Sequence, residues 1–575
     1  MFIETIPNRN SPPAILLRKS VRRGKRTLKQ TLVNLTNWPE QVVAGLDRLL
    51  RGEKLASVND LFTVERSLAH GHVEAILGTI GKLGLDKVVA SKRCRERDLV
   101  VAMMAERLLH PCSKLATTRL WHTTTLAQEL SVGDADVDEL YDALDWLLAR
   151  QGRIERKLAK RHLGEGAMVL YDVSSSYYEG HTCPLIRYGY NRDGKKGRPI
   201  VVYGVMADED GRPVAVDVYP GDTADPTTVP DQVEKLRKRF GLSHVVLVGD
   251  RGMLTQTQID QLKQHPQLGW ISTLRSQAIR QLVEGGTLQL SLFDEQNLAE
   301  ITSPDYPGER LIVCRNPLLA EERRRKREDL LVATEKALEK IAREVARRTK
   351  TALRKEQIAV KVGKVVNRFK VAKHFRLRID DGLFRWERCQ QTIDREQALD
   401  GIYVVRTSEP TDRLSPEDAV RQYKNLAQLE RAFRCLKGID LRLRPIGHRT
   451  DPHVRAHIFL CLLAYYVEWH MRKAWAPLLF DDEELDENRS KRDPVAPARP
   501  SQSAKKKKTT RRTADGLPVH SFDTLLADLG TRCRNRCRTK TAKTTFTFDQ
   551  VSDPSPLQAR ALELLGVCPV RGNPE

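Results

Sequence analysis

Five short β-type segments between residues 166 and 275 constrain the fold of this 575-residue chain more than any other feature. GAMVLYDVSS (166–175) comes first, and PIVVYGVMADEDGRPVAVDVYPGD then supplies two strands joined at Asp210-Gly211, a strong hairpin signal. HVVLVGD (244–250) and GWISTLR (269–275) follow, each after a helical pattern. The order β-β-β-α-β-α-β predicts a mixed five-stranded sheet with helices and excludes a doubly wound parallel fold.

The surrounding sequence divides the chain into further parts. The fold class expected is mixed α/β (α+β), with an RNase H-like core that a large insertion interrupts and an all-α domain precedes. Ser415 and Glu417 open the helix that resumes the core after the insertion. The predicted parts are 1–59, a basic N-terminal segment; 60–163, an all-α domain that either binds DNA or is a plain helical scaffold; 164–275, the first part of the core; 276–410, a β-rich insertion with a long charged helix (321–348); 411–476, the second part of the core; 477–516, a disordered charged linker; and 517–575, a C-terminal segment.

Charge points to the class of partner. The chain has 97 Lys and Arg against 75 Asp and Glu, a net charge of +22. Such an excess favours a polyanionic partner, most simply nucleic acid, although it could also serve only solubility. The longest apolar run (458–467) is too short to span a membrane, and the N-terminus has no apolar signal region. We therefore expect a soluble cytoplasmic protein without a disulfide framework.

Two carboxylates occupy comparable places on different predicted strands. Asp172 lies within the first strand, and Asp250 directly follows the fourth. In an RNase H-like order these strands are neighbours, so that both carboxylates can reach one point, where hard oxygen ligands suit Mg²⁺ or Mn²⁺. The alternative is that each Asp only stabilises a turn at the end of its strand.

A third carboxylate lies on the helix that follows the insertion. Tyr423, Glu430 and Lys437 are spaced by seven, and seven residues return to within about 20° on a helix, so all three should project from one face. This arrangement is expected if Glu430 completes a metal site while Tyr423 and Lys437 bind a phosphate. A partly exposed helix with an incidental polar heptad is the alternative.

These motifs resemble those of DDE transposases of insertion sequences, in the IS4-like superfamily and most closely its IS1634-type branch. The helix signature Y-x2-R-x3-E-x6-K is met at Tyr423, Glu430 and Lys437, with Leu426 in the place of the Arg. Further similarity extends from about residue 60 to 475 and includes LYDVSSSYYEG, VLVGDRGM, GYNRDGKKGRPIVVYG, YPGDTADPTT and RCRERDLVVAMMAERLLHPCSKLATTRLW.

The resemblance implies a reaction and its site. Asp172, Asp250 and Glu430 would bind two Mg²⁺ ions, for which Mn²⁺ can substitute, with Asp172 bridging them. Water would cleave at the end of the element, and the freed 3′-OH would then attack target DNA. The implied partners are double-stranded DNA, namely terminal inverted repeats and target, and a second copy of the chain in the synaptic complex. No membrane is involved, and a bacterial cytoplasmic location is expected.

Four other residues are weaker candidates for DNA contacts. Arg251 and Arg434 lie close to the acidic residues in sequence and can bind the DNA backbone or form salt bridges. Relatives that pass through a DNA hairpin stack a flipped base on an aromatic ring, for which Trp386 and Trp270 are candidates, with ordinary packing as the alternative.

Two other activities stay open at this point. An RNase H-like nuclease or resolvase would act on branched DNA or on RNA, but the long insertion and the Tyr/Glu/Lys spacing argue against it. A catalytically inactive, domesticated DNA-binding protein would be expected to have lost one of the carboxylates, and all three are present.

Overall fold

The computed structural model describes residues 1–575 except 10, 54–61, 266, 294–295, 349, 486–487, 489–490, 497–498, 540–545 and 568–575. The chain forms two compact units. The first consists of Met1–Leu68 and Cys533–Ser552, and the second consists of Ala69–Arg532 and a stretch that begins at Asp553.

The strands of both units are numbered together in chain order. They are β1 (Phe2–Ile6), β2 (Ala14–Arg23), β3 (Arg26–Asn34), β4 (Phe62–Ala69), β5 (Ala167–Tyr177), β6 (Ile200–Ala207), β7 (Pro213–Tyr219), β8 (Val245–Val248), β9 (Leu268–Thr273), β10 (Leu298–Ile301), β11 (Arg310–Arg315), β12 (Phe375–Asp380), β13 (Leu383–Arg388), β14 (Ile402–Thr407), β15 (Cys533–Thr539) and β16 (Thr547–Val551).

The α-helices are numbered in the same way. They are α1 (Glu40–Leu50), α2 (Gly71–Leu83), α3 (Leu85–Val89), α4 (Arg95–Leu109), α5 (Lys114–Leu120), α6 (Leu126–Glu129), α7 (Val137–Leu148), α8 (Gln151–His162), α9 (Val229–Glu234), α10 (Gln256–Lys263), α11 (Ser276–Glu284), α12 (Pro317–Arg347), α13 (Lys355–Phe369), α14 (Gln390–Gln397), α15 (Pro416–Lys424), α16 (Leu426–Arg434), α17 (Asp451–Trp475), α18 (Gln502–Thr510), α19 (Phe522–Gly530) and α20 (Pro556–Leu565).

The first unit is built mainly of strands. Strands β1, β2 and β3 form an antiparallel meander, and Gly24 has a φ of +63° in the tight turn between β2 and β3, a conformation that glycine adopts without strain. Strand β15 lies between β16 and β4 in a separate three-stranded sheet. The sequence predicted only a basic segment over 1–59. It missed these strands because their Lys and Arg side chains are largely exposed and obscure the apolar alternation.

An eight-stranded mixed sheet forms the centre of the second unit, in the order β10-β11-β14-β9-β8-β5-β6-β7. The five strands predicted from the sequence lie side by side in it. Strands β5, β6 and β7 are antiparallel, whereas β8 runs parallel to both β5 and β9. The expected five-stranded sheet is thus too small, because β14, β11 and β10 of the predicted insertion continue it by antiparallel pairing beyond β9. Such long-range pairing leaves no local signal in the sequence.

The rest of the insertion has a core of its own. Asn316 caps α12 by accepting a hydrogen bond of 3.1 Å from the Leu319 N–H, so the charged helix predicted over 321–348 is present and begins slightly earlier. Helix α12 packs against α13 and against the β12-β13 hairpin. The apolar side chains between them are buried, among them Leu331, Leu338, Ile358, Val362 and Phe375.

Helix α17 is the central helix of the second unit. Of its 25 residues, those from Val454 to Glu468 are almost all buried, because α4, α7 and β7 pack around it. The segment predicted as an all-α domain over 60–163 contains α2 to α8, but the described part begins with strand β4. Within the described ranges, no helix is both long and apolar enough to cross a membrane.

The predicted disordered linker over 477–516 contains ordered structure. Helix α18 lies within it, and Ser501 caps that helix by accepting a hydrogen bond of 3.0 Å from the Ala504 N–H. Lys507 of the lysine run is buried, because its ammonium donates to the Ala476 carbonyl at 2.9 Å and to the Asp481 carbonyl at 2.8 Å. Low complexity was therefore a poor guide to disorder here, since two backbone carbonyls and the Glu483 carboxylate satisfy one of the charges.

Candidate active site

Asp172 lies on β5, and Asp250 follows the end of the neighbouring parallel strand β8. Leu170 of β5 pairs with Val248 of β8, and each Asp lies two residues further along its own chain. The Gly249 N–H still donates to the Ile271 carbonyl of β9 at 3.1 Å, so the chain remains alongside the sheet almost to Asp250. Neighbouring strands are about 4.8 Å apart, so both residues lie near the carboxyl edge of β8. Burial raises the pKa of Asp172, and the charge of Asp250 is close enough to raise it further.

The two carboxylates differ in their surroundings. Asp172 is half-buried, and its Oδ1 accepts a hydrogen bond of 2.8 Å from the Val173 N–H. Burial is the main cause that raises the pKa of Asp172 to about 7, and the negative charges of Asp250 and Asp225 also raise it. When burial and neighbouring carboxylates disfavour the ionised form of a carboxyl group, a bound cation stabilises that form strongly.

Asp250 is exposed and belongs to a turn as well. Its Oδ1 accepts hydrogen bonds from the Gly252 N–H at 2.9 Å and from the Met253 N–H at 2.7 Å. The alternative weighed from the sequence, a turn-stabilising Asp, is therefore true of this residue. It does not exclude metal binding, because Oδ2 has no hydrogen-bond donor from the part of the chain that is described.

Glu430 lies on α16, which packs on the sheet face that carries Asp172. The Phe433 ring of α16 contacts the Tyr203 ring edge-on, with 5.9 Å between centroids. Tyr203 of β6 pairs with Ser174 of β5, which lies two residues from Asp172 and so projects to the same side. Glu430 precedes Phe433 by three residues, close to one helical turn, and is exposed.

Tyr423 lies at the end of α15, whereas the heptad spacing predicted it on the same helix as Glu430, which lies on α16. Its hydroxyl accepts a hydrogen bond of 3.1 Å from the Thr273 hydroxyl at the end of β9. Burial raises the pKa of Tyr423, and the nearby carboxylates of Asp250 and Glu430 raise it further. The phenol is therefore within electrostatic reach of two of the three predicted carboxylates.

Lys437 is placed differently from the prediction. It lies in a π-helical turn (Cys435–Ile439) that follows α16, and this wider turn interrupts the seven-residue periodicity. Its ammonium donates to Asp193 Oδ1 at 3.1 Å, and Arg444 also pairs with that carboxylate. Burial lowers the pKa of Lys437, although Asp193 opposes the shift. In this conformation Lys437 is paired rather than free for a phosphate.

Arg251 and Arg434 are both exposed. Neither forms an ion pair with any residue that the structure describes, so the salt-bridge alternative for them has no support there. Arg251 contributes a positive charge that lowers the pKa of Tyr423. Both guanidinium groups are thus accessible near the predicted carboxylates or on the same helix as Glu430.

The two tryptophans have unequal access. Trp270 is only 1 % exposed in β9, and the Arg406 guanidinium lies over its ring at 5.2 Å, so it offers no free face to a base in this conformation. Trp386 of β13 is half-buried and contacts the Phe375 ring edge-on at 6.0 Å. Packing explains Trp270, and Trp386 packs in the insertion while retaining some exposure.

Arg192 and Asp193, which the sequence did not single out, and Asp225, which turn chemistry could explain, form a charged group near Asp172. Arg192 pairs with Asp225, and its positive charge lowers the pKa of Asp172 whereas Asp225 raises it. Asp193, whose side chain is 1 % exposed, holds Lys437 and also accepts a hydrogen bond of 3.1 Å from the Tyr177 N–H. The signal was available, since Arg192 and Asp193 lie in the GYNRDGKKG loop and Asp225 in GDTAD, two of the motifs that carry the resemblance.

The donor types suit a divalent cation, although the described structure does not bring ligand atoms of Asp172, Asp250 and Glu430 within 4.8 Å of one another. Burial and the nearby charge of Asp250 both disfavour ionisation of Asp172. Carboxylate oxygens are the ligands that Mg²⁺ and Mn²⁺ prefer.

Comparison with known protein families decides the identity. A family model described as a transposase DDE domain matches residues 169–467, just over half of the chain and a range that includes all three carboxylates. The chain belongs to the transposase DDE family. It is thus a protein of DNA transposition, whereas its assignment to the IS4-like superfamily and the IS1634-type branch stays a prediction.

Two further comparisons add little to the identification of this transposase. The cryo-EM structure of a piggyBac transposase synaptic complex with hairpin DNA is similar over 80% of this chain and 76% of that chain, with 10% identity and a TM-score of 0.32. No curated protein matches the sequence significantly.

Proposed function

We propose that this transposase cleaves DNA at the terminal inverted repeats of an insertion sequence and transfers the freed ends to target DNA, with Asp172, Asp250 and Glu430 as its metal-binding catalytic residues. One observation carries the proposal. Asp172 lies on β5 two residues beyond its pairing with Val248 of β8, Asp250 follows the end of β8 by two residues, and the helix with Glu430 packs on the face from which Asp172 projects.

We also propose that the catalytic core is RNase H-like. The supporting observation is the strand order β7-β6-β5-β8-β9, in which three antiparallel strands precede two parallel ones. In this order the strand that carries Asp172 is central and is flanked by the strand that leads to Asp250. Ligands of mixed and parallel sheets bind at such carboxyl edges.

Asp172, Asp250 and Glu430 would hold two Mg²⁺ ions, or Mn²⁺ in their place. When bound, these ions would supply Lewis-acid polarisation of the scissile phosphate and of the attacking oxygen. The half-buried Asp172 is the candidate for the shared ligand, because burial and nearby carboxylates disfavour its charge when no cation is present.

The remaining residues of the site would bind and orient DNA. Arg251 and Arg434 are exposed cations suited to backbone phosphates, and the Tyr423 phenol can donate to a phosphate oxygen. Lys437 would take part only after it exchanges Asp193 for a phosphate. Of the tryptophans, Trp386 is the better candidate for base stacking, because Trp270 would first have to leave the core.

The proposed reaction has two phosphoryl transfers. Water attacks the phosphorus at the end of the element, the bond to the 3′ oxygen breaks, and that oxygen leaves as a free 3′-OH. The hydroxyl then attacks a target phosphate and displaces its 3′ oxygen, with no covalent bond to the protein. Because two ends must be joined to one target, we propose that a homodimer on double-stranded DNA carries out the reaction.

Cleavage of a labelled duplex that carries the terminal inverted repeat tests the proposal. We expect wild-type protein to cut at the end of the repeat with Mg²⁺ or Mn²⁺, whereas Glu430→Gln binds the duplex without cutting it. Glu417→Gln is a matched control, because Glu417 is an exposed residue in the first turn of α15. It should cut like the wild type.

Two results would replace the proposal. Metal-dependent cutting of branched or hybrid substrates without regard to the repeat would favour a nuclease or resolvase. Binding of the repeat without cutting by the wild type under either metal would favour an inactive DNA-binding protein.

A further inference from the structure

A second group of potential metal ligands lies outside the predicted catalytic site. Cys435 belongs to the π-helical turn after α16, Asp440 directly follows that turn, and Glu468 is on α17. One ligand atom from each of the three lies within 4.8 Å of the others. The three residues are deeply buried, with exposed fractions of 5 % for Cys435, 8 % for Asp440 and 0 % for Glu468.

Arg472 satisfies only half of each carboxylate. It donates to Asp440 Oδ1 at 2.8 Å and to Glu468 Oε1 at 2.6 Å. Asp440 Oδ2 and Glu468 Oε2 are buried, and no described residue donates a hydrogen bond to either. These two oxygens are therefore unpartnered in a region where an unpaired polar atom costs free energy.

The local charge is also unbalanced. Asp440 and Glu468 share the single guanidinium of Arg472, and the carboxyl group of Asp523 is close enough to Asp440 to have its pKa raised by it. Either a shared proton between the two carboxylates or a cation can compensate two unpartnered oxygens in this setting. A shared proton involves only the two carboxylates, whereas a cation can also bind the nearby thiol of Cys435.

We propose that Cys435 Sγ, Asp440 Oδ2 and Glu468 Oε2 bind one Zn²⁺ ion that fixes the end of the Glu430-bearing helical segment to α17. A thiolate with two carboxylates suits zinc, whereas Mg²⁺ and Ca²⁺ take oxygen ligands only. Around zinc at usual bond lengths, ligand atoms are separated by about 3.5 Å, which the spacing in this cluster permits with small side-chain shifts. Binding would displace the thiol proton of Cys435.

This site is independent of the proposed catalytic function. Cys435 follows Glu430 by five residues. Because the three ligands are buried, the ion would hold the helix in position and would not contact DNA. Arg472 would lie outside the ligand shell and orient both carboxylates through their other oxygens, as hydrogen-bonding partners of metal ligands commonly do.

Zinc content of the full-length protein tests the inference. Protein purified with reductant and excess Zn²⁺, then dialysed against zinc-free buffer, should retain one zinc per chain by elemental analysis. Cys435→Ala should lose the zinc. Cys461→Ala, which removes a different buried cysteine that lies on α17, should keep it. The double variant Asp172→Asn/Glu430→Gln should also keep it, because the catalytic carboxylates are not ligands. Loss of zinc in the double variant alone would overturn the inference.

Glu468→Gln separates zinc from a shared proton. With zinc, this variant loses the ion and its melting temperature falls. With a shared proton, glutamine keeps a hydrogen-bond donor for Asp440, the melting temperature does not fall and the wild type retains no zinc. That second pattern would overturn the inference.

Cobalt substitution tests the same site in the wild type, so the result does not depend on whether a variant folds. Co²⁺-loaded wild type should show a thiolate-to-metal charge-transfer band in the near ultraviolet. Absence of the band with Co²⁺ in excess would contradict the role of Cys435.

Discussion

At the scale of single residues, the fold decides which partner each charged group has, and residue type alone does not. The places of Asp172 within β5 and of Asp250 just after β8 were predictable, because both strands are apolar and their order in the sheet follows from the sequence. The partners of Lys437 were not, because Asp193 is 244 residues away along the chain. A heptad pattern also assumes a regular α-helix, and the π-helical turn at Cys435–Ile439 breaks that assumption.

Asp172 should destabilise the metal-free protein at neutral and higher pH. Its folded-state pKa is raised to about 7, against about 3.9 for an unfolded chain, so metal-free protein loses stability as the pH rises from about 4 to 7. Asp172→Asn stays neutral and avoids this loss. With EDTA we expect it to exceed the wild type in free energy of unfolding by on the order of 1–3 kcal/mol at pH 8 and to match it at pH 4.

Urea unfolding at both pH values measures this difference. Asp222→Asn, in an exposed turn, is the control and should follow the wild type. An equal pH dependence for Asp172→Asn and the wild type would contradict the environment assigned to Asp172.

At the scale of elements, local patterns predicted the strands of the core and the long charged helix α12. They did not predict that β14, β11 and β10 extend the sheet, because pairing at a sheet edge depends on which strand is free there. The N-terminal strands were missed because their exposed Lys and Arg residues hide the alternation. Helix α18 was missed because its composition suggested a solvated tail, although Lys507 is buried.

The packing of α16 on the sheet should control both stability and cleavage. Phe433 is 6 % exposed against Tyr203, and removal of a buried aromatic ring typically costs about 3–5 kcal/mol. We expect Phe433→Ala to lower the free energy of unfolding by that amount and, at a temperature where it is folded, to reduce cleavage more than binding of the repeat. Ala427→Ser, at an exposed position of α16, is the control. Unchanged cleavage in a destabilised Phe433→Ala would show that this contact does not position Glu430.

At the scale of the whole molecule, the net charge of +22 is consistent with a polyanionic partner but does not locate its binding surface. Arg251 and Arg434 are exposed and pair with no residue that the structure describes, so they are candidates for local DNA contacts, as opposed to an effect of overall charge. Family membership fixes the general activity, whereas the sheet register and the helix contacts supply the arrangement of the carboxylates.

The salt dependence of binding distinguishes local contacts from overall charge. Each lost phosphate contact should reduce the slope of log K against log salt by about 0.9, so Arg251→Gln/Arg434→Gln should reduce it by about 2. Lys505→Gln/Lys506→Gln removes the same charge from the exposed surface of α18 and should leave the slope nearly unchanged. Fluorescence anisotropy of the repeat duplex at several salt concentrations measures both, and equal slopes for the two double variants would contradict a local role for the arginines.

Anomalous diffraction from crystals of the full-length protein soaked with Mn²⁺ tests the central claim most directly. The carboxylates of Asp172, Asp250 and Glu430 should surround two manganese peaks, with Asp172 among the ligands of both, and both peaks should vanish in Asp172→Asn. Manganese bound elsewhere, in crystals of protein that cleaves the repeat in solution, would contradict the account.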